Sequence, residues 1–192
     1  MTQMTGSPLA DVPVLIVPGI GNSGPEHWQT IWEQQHPHWR RVNQRDWHHP
    51  DREEWVRALD TAIASMPAPV VLIAHSIGCL VVADCIPRSV APVRAALLVA
   101  VPDPHGPDFP AGAQGFDSLP LEPLKTPSLV IASHDDSFGS VTHARRCAAA
   151  WGSEFVDIGP AGHINAESNL RDWPEGFALL QRLIARTLPV SR

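Results

Sequence analysis

The chain has 192 residues, of which 44% are hydrophobic and 18% charged, and its formal net charge at pH 7 is −6. This composition is typical of a single globular domain with a sizeable core, and it excludes a disordered chain. The acidic balance argues against nucleic acid or an anionic membrane surface as a partner.

Three cysteines are an odd number, which excludes a complete disulfide framework and favours reduced thiols in a cytoplasmic protein. Residues 1–11 are polar and lack the apolar core of a signal peptide. We expect them to form a flexible tail on one domain that spans residues 1–192. No apolar stretch approaches the ~18 residues that a membrane span needs, so no membrane partner is expected.

The first predicted strand, residues 12–17, ends in a loop at residues 18–25 that contains three glycines. A helix follows, either capped by Ser23 or begun by Pro25. The loop lacks the third glycine of a dinucleotide fingerprint and the Gly-Lys-Ser/Thr of a phosphate-binding loop, so a phosphate site is weakly supported. In a hydrolase such a loop supplies one oxyanion-binding donor, and the backbone N–H of Ile20 is the candidate.

A short strand at residues 39–42 and a helix at about residues 51–65 are predicted next, and the loop between them carries Trp47. We expect Trp47 and this loop to form a wall of the substrate pocket. The histidines of this region invite a metal hypothesis, but no two of them have the i, i+4 spacing of a helical zinc site, so no metal is expected. These histidines are His36, His38, His48 and His49.

An apolar, β-branched run from residue 70 ends at residues 74–78, which read Ala-His-Ser-Ile-Gly, and a helix follows. A strand, a tight turn with serine at its apex and a helix form the context of a nucleophile elbow. The residues two before and two after the serine must be small because the backbones nearly touch there, and Ala74 replaces the usual glycine. The N–H of Ile77, at the helix start, is the other candidate oxyanion donor. The alternative is an ordinary turn that contains a serine.

The remaining predicted elements are strands at residues 93–101, 127–133 and 154–158, a helix at residues 141–151, and a last helix that Trp173 and Pro174 open. A long loop at residues 102–123, rich in proline, glycine and aspartate, joins the first two of these strands. Long loops in compact domains are often functional, and we place this one over the active site as a partial lid. The alternative is that this loop lies in solvent and does not cover the site.

Two acids, Asp135 and Asp136, follow the fifth predicted strand, and His163 follows the sixth. With Ser76 they give the chain order Ser, Asp, His of α/β-hydrolases, at the carboxyl edge of a parallel sheet. In such a triad His163 removes the Ser76 proton and returns it to the leaving group, while the aspartate holds the imidazole in the required tautomer. The pattern does not separate Asp135 from Asp136.

Residues 18–33, Pro-Gly-Ile-Gly-Asn-Ser-Gly-Pro-Glu-His-Trp-Gln-Thr-Ile-Trp-Glu, resemble the opening signature of a small serine-hydrolase family. That family includes the retinoblastoma-binding serine hydrolase and bacterial esterases. Further segments are similar to the family in the same order, at residues 46–55, 74–79, 133–136 and 162–165. The resemblance implies a compact α/β-hydrolase without a separate cap domain, and it favours Asp136 as the triad acid. No Leu-x-Cys-x-Glu motif occurs here, so a retinoblastoma-type partner has no support.

We therefore expect an α/β fold, a three-layer α/β/α sandwich on a mostly parallel sheet. The predicted activity is hydrolysis of a carboxylic ester, or of an amide, through an acyl-Ser76 intermediate, with no cofactor and no metal. Ser76, Asp136 and His163 are expected to form the catalytic triad, and the backbone N–H groups of Ile20 and Ile77 to bind the oxyanion. Asn22, His75 and Trp47 are expected to contact a small-molecule substrate. A binding module with weak hydrolase activity is the alternative from another class. Acyl transfer to an acceptor other than water would use the same residues.

Overall fold

The computed structural model describes residues 12–187, so the tail predicted at residues 1–11 lies outside the described residues. The strands are β1 (Val14–Val17), β2 (Arg40–Arg41), β3 (Val70–His75), β4 (Val93–Val99), β5 (Ser128–Ala132) and β6 (Glu154–Asp157). They form one sheet in the order β2-β1-β3-β4-β5-β6, and every neighbouring pair is parallel. The expected parallel sheet is confirmed.

Helices cover both faces of the sheet. They are α1 (Trp28–Gln35), α2 (Arg52–Ala64), α3 (Ile77–Arg88), α4 (Val141–Trp151) and α5 (Pro174–Ala185). Buried residues of α2, α3 and α4 share one core with the sheet, and those of α1 and α5 share the other. After β2, at one edge of the sheet, the chain crosses β1 to form β3, and this reversal of direction along the sheet places α1 and α2 on opposite faces. The three-layer α/β/α sandwich is thus confirmed.

The central strand β3 is buried on both faces. Leu72 and Ala74 belong to the core under α2, α3 and α4, whereas Val71 and Ile73 belong to the core under α1 and α5. This division follows from the period of two in a strand, and it explains why the run is apolar throughout rather than alternating.

Several element boundaries differ from those expected. The first helix begins at Trp28 with His27 as its N-cap, because Ser23 takes a left-handed conformation (φ 45°) and its hydroxyl donates to the side chain of Gln29 instead. β4 ends at Val99 because Ala100 also has a positive φ, 56°, which breaks the extended strand. β2 contains only two residues at the edge of the sheet.

No helix joins β4 to β5 in the described chain, and residues 100–127 take this long connection over the carboxyl edge of the sheet. Arg52 anchors the connection: its guanidinium donates to the carboxylate of Asp84 at 2.8 Å, to the carbonyl of Gly115 at 3.2 Å and to the hydroxyl of Ser118 at 3.0 Å. The fold is compact, and this connection forms no separate cap domain within residues 12–187.

Two further observations concern the whole described chain. Residues 12–187 contain no helix that is both long enough and apolar enough to cross a membrane. All three cysteines, Cys79, Cys85 and Cys147, are buried and unpaired. Burial raises the pKa of the Cys85 and Cys147 thiols to about 12, so both are protonated at neutral pH.

Candidate active site

The turn between β3 and α3 places Ser76 above the edge of the sheet. Its φ of 55° and ψ of −129° lie in a region that residues other than glycine rarely adopt. The surrounding fold holds this conformation, since the Ser76 N–H donates to the carbonyl of Val99 on the neighbouring strand at 2.9 Å. Strand, strained serine and helix together have the geometry of a nucleophile elbow.

Close backbone contact explains the small residues around this turn. A methyl group on Gly78 would lie 2.5 Å from the carbonyl oxygen of Val17 and 2.8 Å from that of Pro18. On the other side, a methyl group on Gly19 would lie 2.8 Å from the Cβ of Ser76. The glycines therefore let the loop after β1 pass directly against the elbow.

Substitution of Gly78 by alanine is expected to lower the free energy of unfolding by about 3 kcal/mol, because two backbone carbonyls and not a flexible side chain must move. Gly24→Ala is the matched control, since a methyl group there meets nothing within 4 Å, and its effect should stay within about 0.5 kcal/mol. Urea unfolding of both variants measures the difference. Equal stability of the two variants would contradict the close approach.

Ser76, His163 and Asp136 form one chain of hydrogen bonds. His163 Nε2 lies 2.8 Å from Ser76 Oγ, and His163 Nδ1 lies 2.9 Å from both carboxylate oxygens of Asp136. The backbone N–H of Phe138 donates to Asp136 Oδ1 at 2.9 Å. The Asp136 side chain is 1% exposed and that of His163 is 11% exposed, so water scarcely reaches the pair.

Asp135 lies beside this chain and has a different set of partners. Its Oδ1 accepts hydrogen bonds from the Ser133 hydroxyl and from the backbone N–H groups of Ala161 and Gly162, each at 2.8 Å. These bonds, that of Ser133 foremost, lower the pKa of the Asp135 carboxyl below its usual value. Asp135 therefore fixes the loop that carries His163 and does not bond to the imidazole itself.

Two side chains from other elements hold the backbone carbonyls of His163 and of the next residue, Ile164. His75 Nε2 donates to the carbonyl of His163 at 2.9 Å, and the indole N–H of Trp28 donates to the carbonyl of Ile164 at 2.8 Å. The His163 ring also packs against Phe138, with centroids 4.4 Å apart. His75 was expected to contact substrate; it lines the cavity, but its one donor is used to position His163.

Both predicted oxyanion donors lie at the cavity beside Ser76. Ile77 begins α3, and Ile20 lies in a short 3₁₀ turn after β1. Within residues 12–187, neither backbone N–H donates a hydrogen bond to another protein group. Both donors are therefore free to bind an oxygen that develops negative charge.

Gln29 and Arg41 hold the loop that carries Ile20, and sequence reasoning missed both. The Gln29 amide is fully buried; it donates to the carbonyl of Ile73 at 2.9 Å and accepts from the Ser23 hydroxyl at 2.7 Å. Arg41 donates to the backbone carbonyl of Asn22 at 2.6 Å and also forms an ion pair with Glu33. A polar Gln29 between two buried tryptophans of α1 was the signal in the sequence that could have identified the first of them.

The cavity at this site has a volume of about 430 Å³. Its walls are mainly apolar, and the residues that line it together with Ser76 include Ile20, Phe109, Pro110 and Phe138. Phe109 and Pro110 belong to the long connection after β4, so this connection does lie over part of the site, as the partial lid predicts.

Asn22 and Trp47, both expected to contact substrate, do not line this cavity. The Asn22 side chain accepts a hydrogen bond from Arg41 at 3.0 Å, which turns it toward the outer side of the loop. The Trp47 ring packs edge-on against Trp55 with centroids 5.7 Å apart, and only its backbone carbonyl supports the site, by accepting the N–H of Gly21 at 3.0 Å. Asn22 therefore helps to anchor its loop, and the Trp47 ring packs against the core.

Neutral, buried histidines make the stability of the fold depend on pH. Burial first, then the charges of Arg41 and His163, lowers the pKa of His27 to about 3, and burial also holds the pKa of His75 well below its usual value. In the unfolded chain both rings take up a proton near pH 6.5. The contribution of these two histidines to the free energy of unfolding is therefore present in full above pH 6.5. It decreases as the pH falls from 6.5 toward 3, because the unfolded state then binds more protons than the folded state.

We expect the protein to melt at a lower temperature at pH 5 than at pH 7.5, and His27→Asn to show a smaller decrease. Asparagine keeps a side-chain acceptor for the first turn of α1 while removing the group that the acid would charge. Circular dichroism melts of both proteins at the two pH values measure this. An identical decrease in the variant would show that His27 does not contribute.

Within residues 12–187, no three side chains of the kinds that bind metal ions are grouped closely enough to hold one. The four histidines at positions 36–49 instead pack or lie at the surface; His36, for example, stacks on Trp39 with centroids 4.2 Å apart.

A doubly covered parallel sheet with a strained serine after its central strand defines the class of α/β-hydrolases. The sequence matches the serine hydrolase family over residues 14–182, and the chain belongs to this family. No curated protein matches the chain.

Solved structures share the fold. A YdeN-like hydrolase from Pectobacterium atrosepticum is 36% identical, with 93% of each chain covered and a TM-score of 0.84. The product of the ydeN gene of B. subtilis is 18% identical, covers 91% of this chain and 99% of its own, and has a TM-score of 0.74. An esterase domain from Rhodothermus marinus, 16% identical over 90% of this chain and 88% of that one, shares the fold with a TM-score of 0.65.

Proposed function

We propose that this serine hydrolase cleaves a small carboxylic ester through an acyl-Ser76 intermediate. The observation that carries the proposal is the unbroken hydrogen-bond chain from Ser76 through His163 to Asp136. A serine, a histidine and a buried carboxylate in this geometry can activate the hydroxyl as a nucleophile.

The geometry supports a sequence of two acyl transfers. His163 Nε2 accepts the proton of Ser76 as Oγ attacks the ester carbonyl, while Asp136 accepts the Nδ1 hydrogen and stabilises the imidazolium. The N–H groups of Ile20 and Ile77 bind the resulting oxyanion. His163 then protonates the leaving alcohol, and a water molecule releases the acid by the same steps in the second half.

The size and walls of the cavity support a short, uncharged ester. A volume of about 430 Å³ lies near the lower end of the range for small-molecule sites. Among the described residues that line it, none is a lysine or arginine, and Glu167 lies on the wall. Such a cavity offers burial to short acyl chains and no countercharge to an anionic substrate.

Acyl-enzyme trapping tests the proposal. The protein is mixed with nitrophenyl butyrate, quenched in acid within one turnover and digested for mass spectrometry. We expect the mass of one butyryl group on the peptide that contains Ser76, and none on the peptide with the exposed Ser137. Acylation at neither serine would favour the binding-module alternative, because an inactive Ser76 leaves only a shaped cavity.

We propose further that the protein works in the cytoplasm. Three buried, unpaired thiols are compatible with a reducing compartment and unusual in a secreted protein of this size. Cell fractionation with an antibody against the protein tests this directly.

A further inference from the structure

His27 lies on the wall of the active-site cavity, directly before α1, and is 4% exposed. Its Nδ1 accepts a hydrogen bond from the backbone N–H of Gln29 at 3.1 Å and so caps the helix. A ring nitrogen that accepts a hydrogen bond carries no proton, so the hydrogen of the neutral imidazole is on Nε2.

The protonation state of this ring is fixed as well as its tautomer. Because burial, Arg41 and His163 lower the pKa of His27 to about 3, the ring is neutral at physiological pH. Its Nε2 is therefore a permanent donor, and it cannot act as a base that exchanges protons with His163.

Nothing in the described chain accepts this hydrogen. His27 Nε2 is buried and has no hydrogen-bond partner within residues 12–187. The His75 ring packs across it with centroids 4.6 Å apart and planes at 72°, but no hydrogen bond joins the two rings. Buried donors are nearly always paired, so a lone one on a cavity wall points to a ligand atom.

The surroundings restrict what this ligand atom is. The helix takes up Nδ1 of the ring, so Nε2 is the one ring nitrogen left for a partner outside the described chain. The scissile carbonyl is already served by the free N–H groups of Ile20 and Ile77. A neutral donor on a wall with Glu167 and no cationic side chain suits an uncharged oxygen rather than a carboxylate.

We propose that His27 is a specificity-determining residue whose Nε2–H donates to a second oxygen of the substrate, distinct from the scissile carbonyl oxygen. The substrate class is then an uncharged ester that carries an ether, hydroxyl or carbonyl oxygen in its acyl or alcohol chain. This inference rests on the proposed hydrolase function and adds the substrate class to it.

The test is a scan in which one oxygen replaces one methylene at each successive position of a nitrophenyl hexanoate, with a second scan along the alkyl chain of hexyl butyrate; the methylene next to the ester group is left in place in both, so that every compound remains a carboxylic ester. Each kcat/KM is divided by the rate constant of the same ester with hydroxide, which removes differences in intrinsic reactivity. We expect one position to exceed its all-carbon parent by about 10-fold, since a site with an unpaired donor rejects the analogue that lacks the acceptor.

His27→Phe, which removes the donor, and His27→Asp, which keeps an acceptor for the Gln29 N–H and has no donor hydrogen when ionised, are expected to reduce this preference to within about 2-fold. The ratio of two substrates on one sample does not depend on the fraction of folded enzyme. A flat scan in the wild type, or the same preference in both variants, overturns the inference.

A fluorophosphonate probe applied to the same samples separates this result from failure of the proposed function. Labelled wild-type enzyme with a flat scan overturns the role of His27 alone. Unlabelled wild-type enzyme overturns the hydrolase proposal and the inference that rests on it.

Discussion

Ser76→Ala is expected to lower kcat toward a small ester by about 10⁶-fold and to abolish labelling by a fluorophosphonate probe. Within residues 12–187, the Ser76 hydroxyl is the only group that forms a hydrogen bond with His163 Nε2, at 2.8 Å, so no other described side chain is placed to replace it as nucleophile. The residual rate should come from the cavity and the backbone donors of Ile20 and Ile77 alone.

The loss should not reflect unfolding. Ser76 Oγ makes one hydrogen bond to the protein, and its backbone N–H still donates to Val99 in the variant. We therefore expect a melting temperature within a few degrees of the wild type by calorimetry. Ser137→Ala is the control and should retain full activity, because Ser137 is exposed in the loop that follows β5. Activity of the Ser76 variant within 10-fold of the wild type would overturn the assignment of the nucleophile.

Asp136→Asn should lower kcat by about 10⁴-fold with little change in KM. The carboxylate accepts the hydrogen on His163 Nδ1, which leaves Nε2 free to take the Ser76 proton. An amide can donate to Nδ1 instead, and the imidazole would then carry its hydrogen on the wrong nitrogen. Steady-state kinetics with an active-site titration measures the effect per folded molecule.

Asp135→Asn is the matched control for this variant, because the two acids are neighbours in one loop. The amide oxygen can still accept from the backbone N–H groups of Ala161 and Gly162, so we expect no more than about a 10-fold loss of kcat. A larger loss in the Asp135 variant than in the Asp136 variant would reverse the assignment of the two acids.

The sequence was sufficient for the fold and for the positions of the candidate serine and histidine, because both depend on local signals. The β-branched run before Ser76 and the small residues Ala74 and Gly78 predict the strand, the turn and the helix without knowledge of neighbours. The position of His163 after the last strand follows from the rule that sites form at the carboxyl edge of parallel sheets.

Long-range contacts decide what the sequence could not. Adjacent loop residues such as Asp135 and Asp136 differ only in the direction of their side chains, which the N–H groups of a loop 26 residues away determine. Asn22 was taken as a substrate contact because it lies in the right loop, but Arg41, 19 residues further on, binds its side chain. The unpaired donor of His27 is visible only once the cap on α1 and the walls of the cavity are known.

The hydrogen bond from Trp28 to the carbonyl of Ile164 also allows the loop that carries His163 to be followed by intrinsic tryptophan spectroscopy. The chain contains seven tryptophans and no tyrosine, so its near-ultraviolet spectrum comes almost wholly from indole rings. Trp28 lies 4.7 Å from Trp32 and 5.1 Å from Trp173, ring centre to ring centre, close enough for their electronic transitions to couple. A movement of the segment that carries His163 would break the hydrogen bond from Trp28 to Ile164. Such a movement is therefore expected to change the near-ultraviolet circular dichroism and the fluorescence emission of these three tryptophans, with no attached dye.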